Sequence, residues 1–190
     1  MSASQLPLAP LRSSQLLARE SSRLLVVDMQ AKLLAAMPTA AETVANCELL
    51  LRGAELLGVP ISATEQYPGG LGATVEPLRA RLLDCRDKLR FSSAASWEWS
   101  RAAEETDRHQ VVVVGIETHV CVLQTVLDLL AAGFNVHVAA DAVASRREAD
   151  RAYAIQRLRD SGTTITTVEA VLFEWCETAE DPQFKSLSAL

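Results

Sequence analysis

Cys121 lies in the run Gly115-Ile116-Glu117-Thr118-His119-Val120-Cys121, which leads out of the most apolar stretch of the chain, QVVVVG at 110–115. A cysteine in the first turn of a helix meets unpaired N–H groups and the positive end of the helix dipole, and both favour its thiolate. Asp28 closes a second apolar run, RLLVVD at 23–28, and Lys88 lies in a third, DKLRF at 87–91. An ammonium beside the thiol would lower its pKa, and a carboxylate within reach would accept its proton. The three together would make an activated nucleophile for covalent catalysis. Each also has a plain structural reading. A buried cysteine packs as a small apolar residue, an aspartate after a strand caps the next turn, and a lysine is ordinarily solvated. Cys47, Cys85 and Cys176 are left to the packing role.

The elements that must position these residues alternate short β-branched runs with longer amphipathic stretches. Strands are expected at Arg23–Asp28, Val59–Thr64, Asp87–Phe91, Gln110–Gly115, Phe134–Ala140 and Thr163–Thr167. Helices are expected at Thr39–Leu57, Ala94–Asp107, His119–Ala132, Arg147–Asp160 and Val168–Trp175. Alternation of this kind implies right-handed crossovers and a parallel sheet covered on both faces, a single α/β domain. In such a sheet ligands bind beyond the carboxyl ends of the strands, where Asp28, Lys88 and Cys121 are placed. The segment Glu65–Arg86, with Pro68, Gly69, Gly70, Gly72 and Pro77, is expected as one long irregular connection, and such connections are often binding loops.

Composition narrows the function classes. With 18 basic and 24 acidic residues the net charge is −6, and no basic stripe offers itself to phosphates, so nucleic acid is not expected as a partner. The four cysteines are widely separated and no histidine precedes His109, which gives a metal ion little to bind. No cofactor is expected, since neither a G-x-G-x-x-G turn nor a phosphate loop is present. No apolar run approaches the roughly 20 residues of a membrane span, and the N-terminus lacks a leader pattern, so the chain is expected in the cytoplasm, its thiols reduced. Residues 1–18 are read as an N-terminal arm and 19–190 as the domain.

The segments LLVVDMQ (24–30), DKLRFSSAAS (87–96), VVVVGIETHVCVLQTVLDLLAAGFNVHVAADAVASR (111–146) and DPQFK (181–185) resemble the isochorismatase-like cysteine hydrolases, with GIETHVCV the most specific piece. The resemblance implies a doubly wound, Rossmann-like fold with a six-stranded parallel sheet and helices on both faces. It implies an Asp-Lys-Cys triad, mapped here onto Asp28, Lys88 and Cys121. It further implies a cis peptide between Ile116 and Glu117, with the N–H groups of Glu117 and Cys121 turned toward an oxyanion. The implied activity is cleavage of a small amide or related C–N bond through a thioester, in a dimer or larger homo-oligomer. Metal-binding nicotinamidases of this superfamily carry histidines after the second strand, where this chain reads ATEQYPGGLG (63–72), so no catalytic metal is expected.

Gln30, Glu65, Gln66, Tyr67 and the Trp97/Trp99 pair are expected to shape the substrate pocket, the tryptophans equally well serving core or subunit packing. His119 precedes Cys121 by two residues and would not share its helix face, so it is a pocket candidate and not a catalyst. Thr118 is read as a helix cap or a support for the strained turn, and Asp141, Ser145 and Arg146 as fixing the turn after the fifth strand. Two other functions compete: a thiol redox protein built on Cys121, and a catalytically idle oligomeric scaffold.

Overall fold

The computed structural model describes residues 12–97 and 108–190. Strand β1 (Ser22–Val27) is buried along its whole length and pairs in parallel with β2 (Ile61–Gln66) on one side and β4 (Gln110–Ile116) on the other. β3 (Cys85–Lys88) extends the sheet beyond β2, and β5 (Asn135–Ala144) and β6 (Thr164–Thr166) extend it beyond β4. The described residues thus form a six-stranded parallel sheet in the order β3-β2-β1-β4-β5-β6.

Alternation along the strands separates two apolar layers. Leu24 and Val26 of β1, with Val112 and Val114 of β4, pack with helices α2 (Ala40–Leu57) and α6 (Val168–Cys176). Leu25, Val27, Val111 and Val113 pack on the opposite face with α4 (Leu123–Ala131) and with Leu158 of α5 (Glu148–Asp160). The near-continuous β-branched composition of β4 follows from this burial on both faces. The helices after β1 and after β4 cover opposite faces, so the strand order reverses between these neighbours and leaves a crevice above their carboxyl ends.

Gly115 sets the spacing there. Its φ is +116°, and a methyl group in its place would lie 2.1 Å from the carbonyl oxygen of Val27, so a side chain cannot be accommodated.

Several sequence expectations are corrected. Segment 65–86 is not one irregular loop: it begins in β2 and holds the short helix α3 (Pro68–Leu71), a 3₁₀ turn at Arg79–Arg81 and the start of β3. α1 (Ala31–Leu34) and α7 (Phe184–Leu187) were also not anticipated. The third strand ends at Lys88 instead of beginning beside it. β5 runs on to Ala144 because its register with β4 shifts between Val113 and Gly115. The helix expected at Ala94–Asp107 has a 3₁₀ turn at Ala94–Ser96, with extended backbone at Trp97. Its remainder, Trp99 included, lies outside the described residues. Of the expected arm, residues 12–18 are hydrogen-bonded to the body through Glu174 and Gln110, and Leu17 is fully buried.

Candidate active site

Asp28 follows β1 directly and takes a left-handed φ of 52°, a conformation that costs a residue with a Cβ unless its surroundings enforce it. Its N–H donates to the carbonyl of Thr64 at 3.0 Å, which turns the carboxylate into the crevice. Lys88, the last residue of β3, reaches it from two strands away, with Nζ 2.7 Å from Asp28 Oδ2. Both side chains are buried. A buried ion pair survives only when its remaining donors and acceptors are satisfied, and here they are. Lys88 Nζ also donates to Gln66 Oε1 at 2.8 Å, to the Phe91 carbonyl at 2.8 Å and to the Arg90 carbonyl at 3.2 Å. Asp28 Oδ1 accepts from the Thr64 hydroxyl at 2.9 Å.

Cys121 lies in a π-helical turn, Thr118–Val122, that opens α4, and its thiol lies within electrostatic reach of Asp28 and Lys88. The carboxylate, the ammonium and the thiol therefore meet beyond the ends of β1, β3 and β4. Cys121 is buried, 6 % exposed, and packs with the apolar layer of Leu25, Val27 and Val126.

The electrostatics correct one expectation. A low thiol pKa would follow if the lysine and the helix end decided it. Instead burial first, and the Asp28 charge second, push the Cys121 thiol up to about 12 against the opposing pull of Lys88. Burial likewise raises Asp28, while Lys88, Cys121 and Thr64 hold it down. At rest the pair is a thiol facing a carboxylate whose proton affinity has been raised. That is the arrangement of a nucleophile with its own base, not of a standing thiolate.

The other expected pocket residues divide. Gln66 Oε1 holds Lys88 and its Nε2 donates to the Leu89 carbonyl at 2.9 Å. Gln30 is fully buried and exchanges hydrogen bonds with the Gln66 backbone, so it supports Gln66 and does not face the crevice. Glu65 Oε1 accepts from the N–H and hydroxyl of Thr74 and from Arg79, anchoring the connection to β3. Tyr67 is 56 % exposed at the end of β2, and Trp97 is buried with the Arg86 guanidinium 4.1 Å from its ring centre.

The peptide bond between Ile116 and Glu117 is cis. The buried Glu117 carboxylate accepts from the N–H and Nε of Arg146, at 3.1 and 3.0 Å. His119 turns away from Cys121, with Nδ1 3.0 Å from Ser145 Oγ and Nε2 3.8 Å from Asp150. Thr118 caps nothing, since its buried hydroxyl has no hydrogen-bond partner. Asp141 lies within β5 and receives the Val168 N–H at the start of α6, so it caps that helix and does not fix a turn. Cys85 is exposed, contrary to its expected packing role.

Sequence reasoning missed three hydroxyls. Thr64 bonds Ser93 Oγ at 2.9 Å as well as Asp28. The Ser93 N–H donates to Thr125 Oγ1 at 2.8 Å, and Thr125 donates to the Cys121 carbonyl at 2.6 Å. Among the described residues no group of three or more His, Cys, Asp or Glu side chains is placed to hold a metal ion.

Fold and site together define a doubly wound α/β protein with an acid, an amine and a thiol at the switch point of its sheet. The chain belongs to the isochorismatase domain family, whose model matches residues 22–170, and is a hydrolase of that family. It is 39% identical over 174 residues to isochorismatase domain-containing protein 2 of Danio rerio, covering 92% of this chain and 88% of the relative. Among solved structures it is similar to the MAR1 ribonuclease of Caenorhabditis elegans, at 36% identity and a TM-score of 0.85 over 91% of this chain and 90% of that one. The fold is shared with the YcaC gene product of Escherichia coli, an octameric hydrolase of unknown specificity. There the TM-score is 0.81 at 22% identity, over 94% of this chain and 97% of that one.

Proposed function

We propose that the protein is a metal-independent cysteine hydrolase that cleaves a small amide or related C–N bond through a thioester on Cys121. The observation that carries this is the hydrogen-bonded pair of Asp28 and Lys88 in the crevice with the Cys121 thiol in electrostatic reach of both. As the sulfur attacks the carbonyl carbon, its proton passes to Asp28, whose raised proton affinity suits it to a buried thiol. The N–H groups of Glu117 and Cys121 hold the tetrahedral oxyanion. The C–N bond then breaks, and the amine leaves with the proton from Asp28. Water next adds to the thioester and loses a proton to the same carboxylate. The C–S bond breaks, the acid departs and the sulfur is reprotonated. Lys88 keeps the carboxylate charged and in place between these steps.

The MAR1 name of the worm neighbour brings a second reading, phosphodiester cleavage. A net charge of −6 speaks against RNA as the substrate, and a thiol beside its own base suits an acyl carbon. Free thiols at all four cysteines fit a reducing compartment, and the octameric fold relative supports a homo-oligomer.

The test is a panel of small amides and ureides assayed for ammonia release, with RNA and peroxide in parallel. For the compound that turns over, Cys121→Ala should cut the rate by about a thousandfold or more with the fold unchanged. Undiminished turnover would reject the assignment, and RNA cleavage without amide hydrolysis would replace it with the second reading.

A further inference from the structure

The proton acceptor of the proposed reaction is held by more than its lysine. Thr64 is 1 % exposed and Ser93 is fully buried, so neither hydroxyl touches substrate or bulk water. An ionised carboxylate only accepts hydrogen bonds, so the Thr64 hydroxyl spends its one proton on Asp28 Oδ1. The contact between Thr64 and Ser93, 2.9 Å long, must then run from Ser93 O–H to Thr64 Oγ1. The direction of the chain follows: Ser93 to Thr64 to Asp28, each bond polarising the next toward the negative charge. The same serine is tied through its N–H to Thr125, which donates to the carbonyl of Cys121. One buried line of hydroxyls thus joins the base to the turn that carries the nucleophile.

Resting on the hydrolase reading above, we propose that Thr64 and Ser93 are positioning residues for Asp28. They fix the carboxylate by Oδ1 so that Oδ2 stays on Lys88, and they set the pH at which it becomes able to take the thiol proton. The titratable groups set against Asp28 are Lys88 from β3 and Cys121 from the π turn, while β2 presents the Thr64 hydroxyl. Among these, Thr64 and the Ser93 behind it can be altered without removing a charge or the nucleophile. Taking a donor away from a carboxylate disfavours its charged form, so the effect has a definite sign.

Alkylation of the full-length protein by uncharged iodoacetamide, followed over pH by peptide mapping, reads each of the four thiols separately. For wild type, Cys121 labelling should rise along an acid limb that is absent in Asp28→Asn. Thr64→Val, nearly isosteric, should move that limb up by about one pH unit, the equivalent of one lost hydrogen bond to a charged group. Ser93→Ala should move it up by about half as much. The double variant should match Thr64→Val alone, because Ser93 acts through Thr64. Thr64→Ser restores the hydroxyl and should return the limb to its wild-type position. Cys47 and Cys176, both buried, should stay protected throughout and so report that each variant is folded. A Thr64→Val limb that coincides with wild type, while Asp28→Asn abolishes it, overturns this inference and leaves the hydrolase reading standing. A wild-type profile without an Asp28-dependent limb overturns both.

Discussion

At the carboxyl end of the sheet, Asp28 and Lys88 are buried as a charged pair, with both carboxylate oxygens accepting and the ammonium facing four acceptors. In the amino half, His137 of β5 is just as buried, yet its Nδ1 has no hydrogen-bond partner, and neither has the hydroxyl of Thr163 just before β6. The outcomes differ accordingly. The pair keeps its charges because the protein has rebuilt a solvation shell around it. The imidazole, its Nδ1 left unpartnered, is pushed by burial down to about 4 and stays neutral at neutral pH. Of these two buried sites, only the one where chemistry is proposed is solvated by the protein.

The contrast is sharpest if one partner of the pair is removed. Lys88→Met should destabilise the protein by about 3–5 kcal/mol at pH 8, since it leaves an unpaired buried carboxylate. The deficit should narrow at pH 5, where the folded protein can protonate Asp28 more readily, and urea midpoints at the two pH values would measure this. A loss independent of pH would mean that packing, not charge, was removed.

At the other end the sign is set by His137. Its folded pKa lies near 4 against an ordinary value of 6.5, so above about pH 6.5 it is neutral folded or unfolded and contributes nothing. Between 6.5 and 4 the unfolded chain takes up the proton that the folded one refuses, and stability should fall by up to about 3 kcal/mol. His137→Leu should remove that component of the pH slope, and a slope identical to wild type would remove the imidazole from the account.

The smallest effect belongs to Cys85, a thiol exposed at the amino end of β3. Cys85→Ser should leave stability within about 0.5 kcal/mol and turnover unchanged. It should lower by one the number of thiols alkylated in the native protein at high pH, since burial and the Glu65 charge push the Cys85 thiol up to about 11. Any loss of turnover would show that access counts for more than the surrounding network.

Periodicity and strand ends made the sheet legible, because burial on both faces of β1 and β4 demands unbroken apolar runs such as LLVV and VVVV. Asp28 and Cys121 were legible for the same reason, as the first polar or reactive groups after those runs. Lys88 was placed by resemblance more than by pattern, since CRDK is largely exposed at the sheet edge and reads weakly as a strand. Thr64 and Ser93 were not legible, because a threonine closing a strand and a serine in a turn are ordinary residues until the fold sets them side by side. The direction of the Cys121 shift was missed because a helix end and a lysine are visible in sequence, whereas the depth at which the sulfur is buried is not.

Gly115 carries a consequence for anyone redesigning this catalyst. The gap between the two central backbones is set by a lone hydrogen atom opposite Val27, so the spacing of the two strands that carry carboxylate and sulfur is written into main-chain geometry. Substrate choice can accordingly be re-engineered around Tyr67, whereas the segment at Phe91, whose carbonyl holds Lys88, has to be kept with the reactive centre.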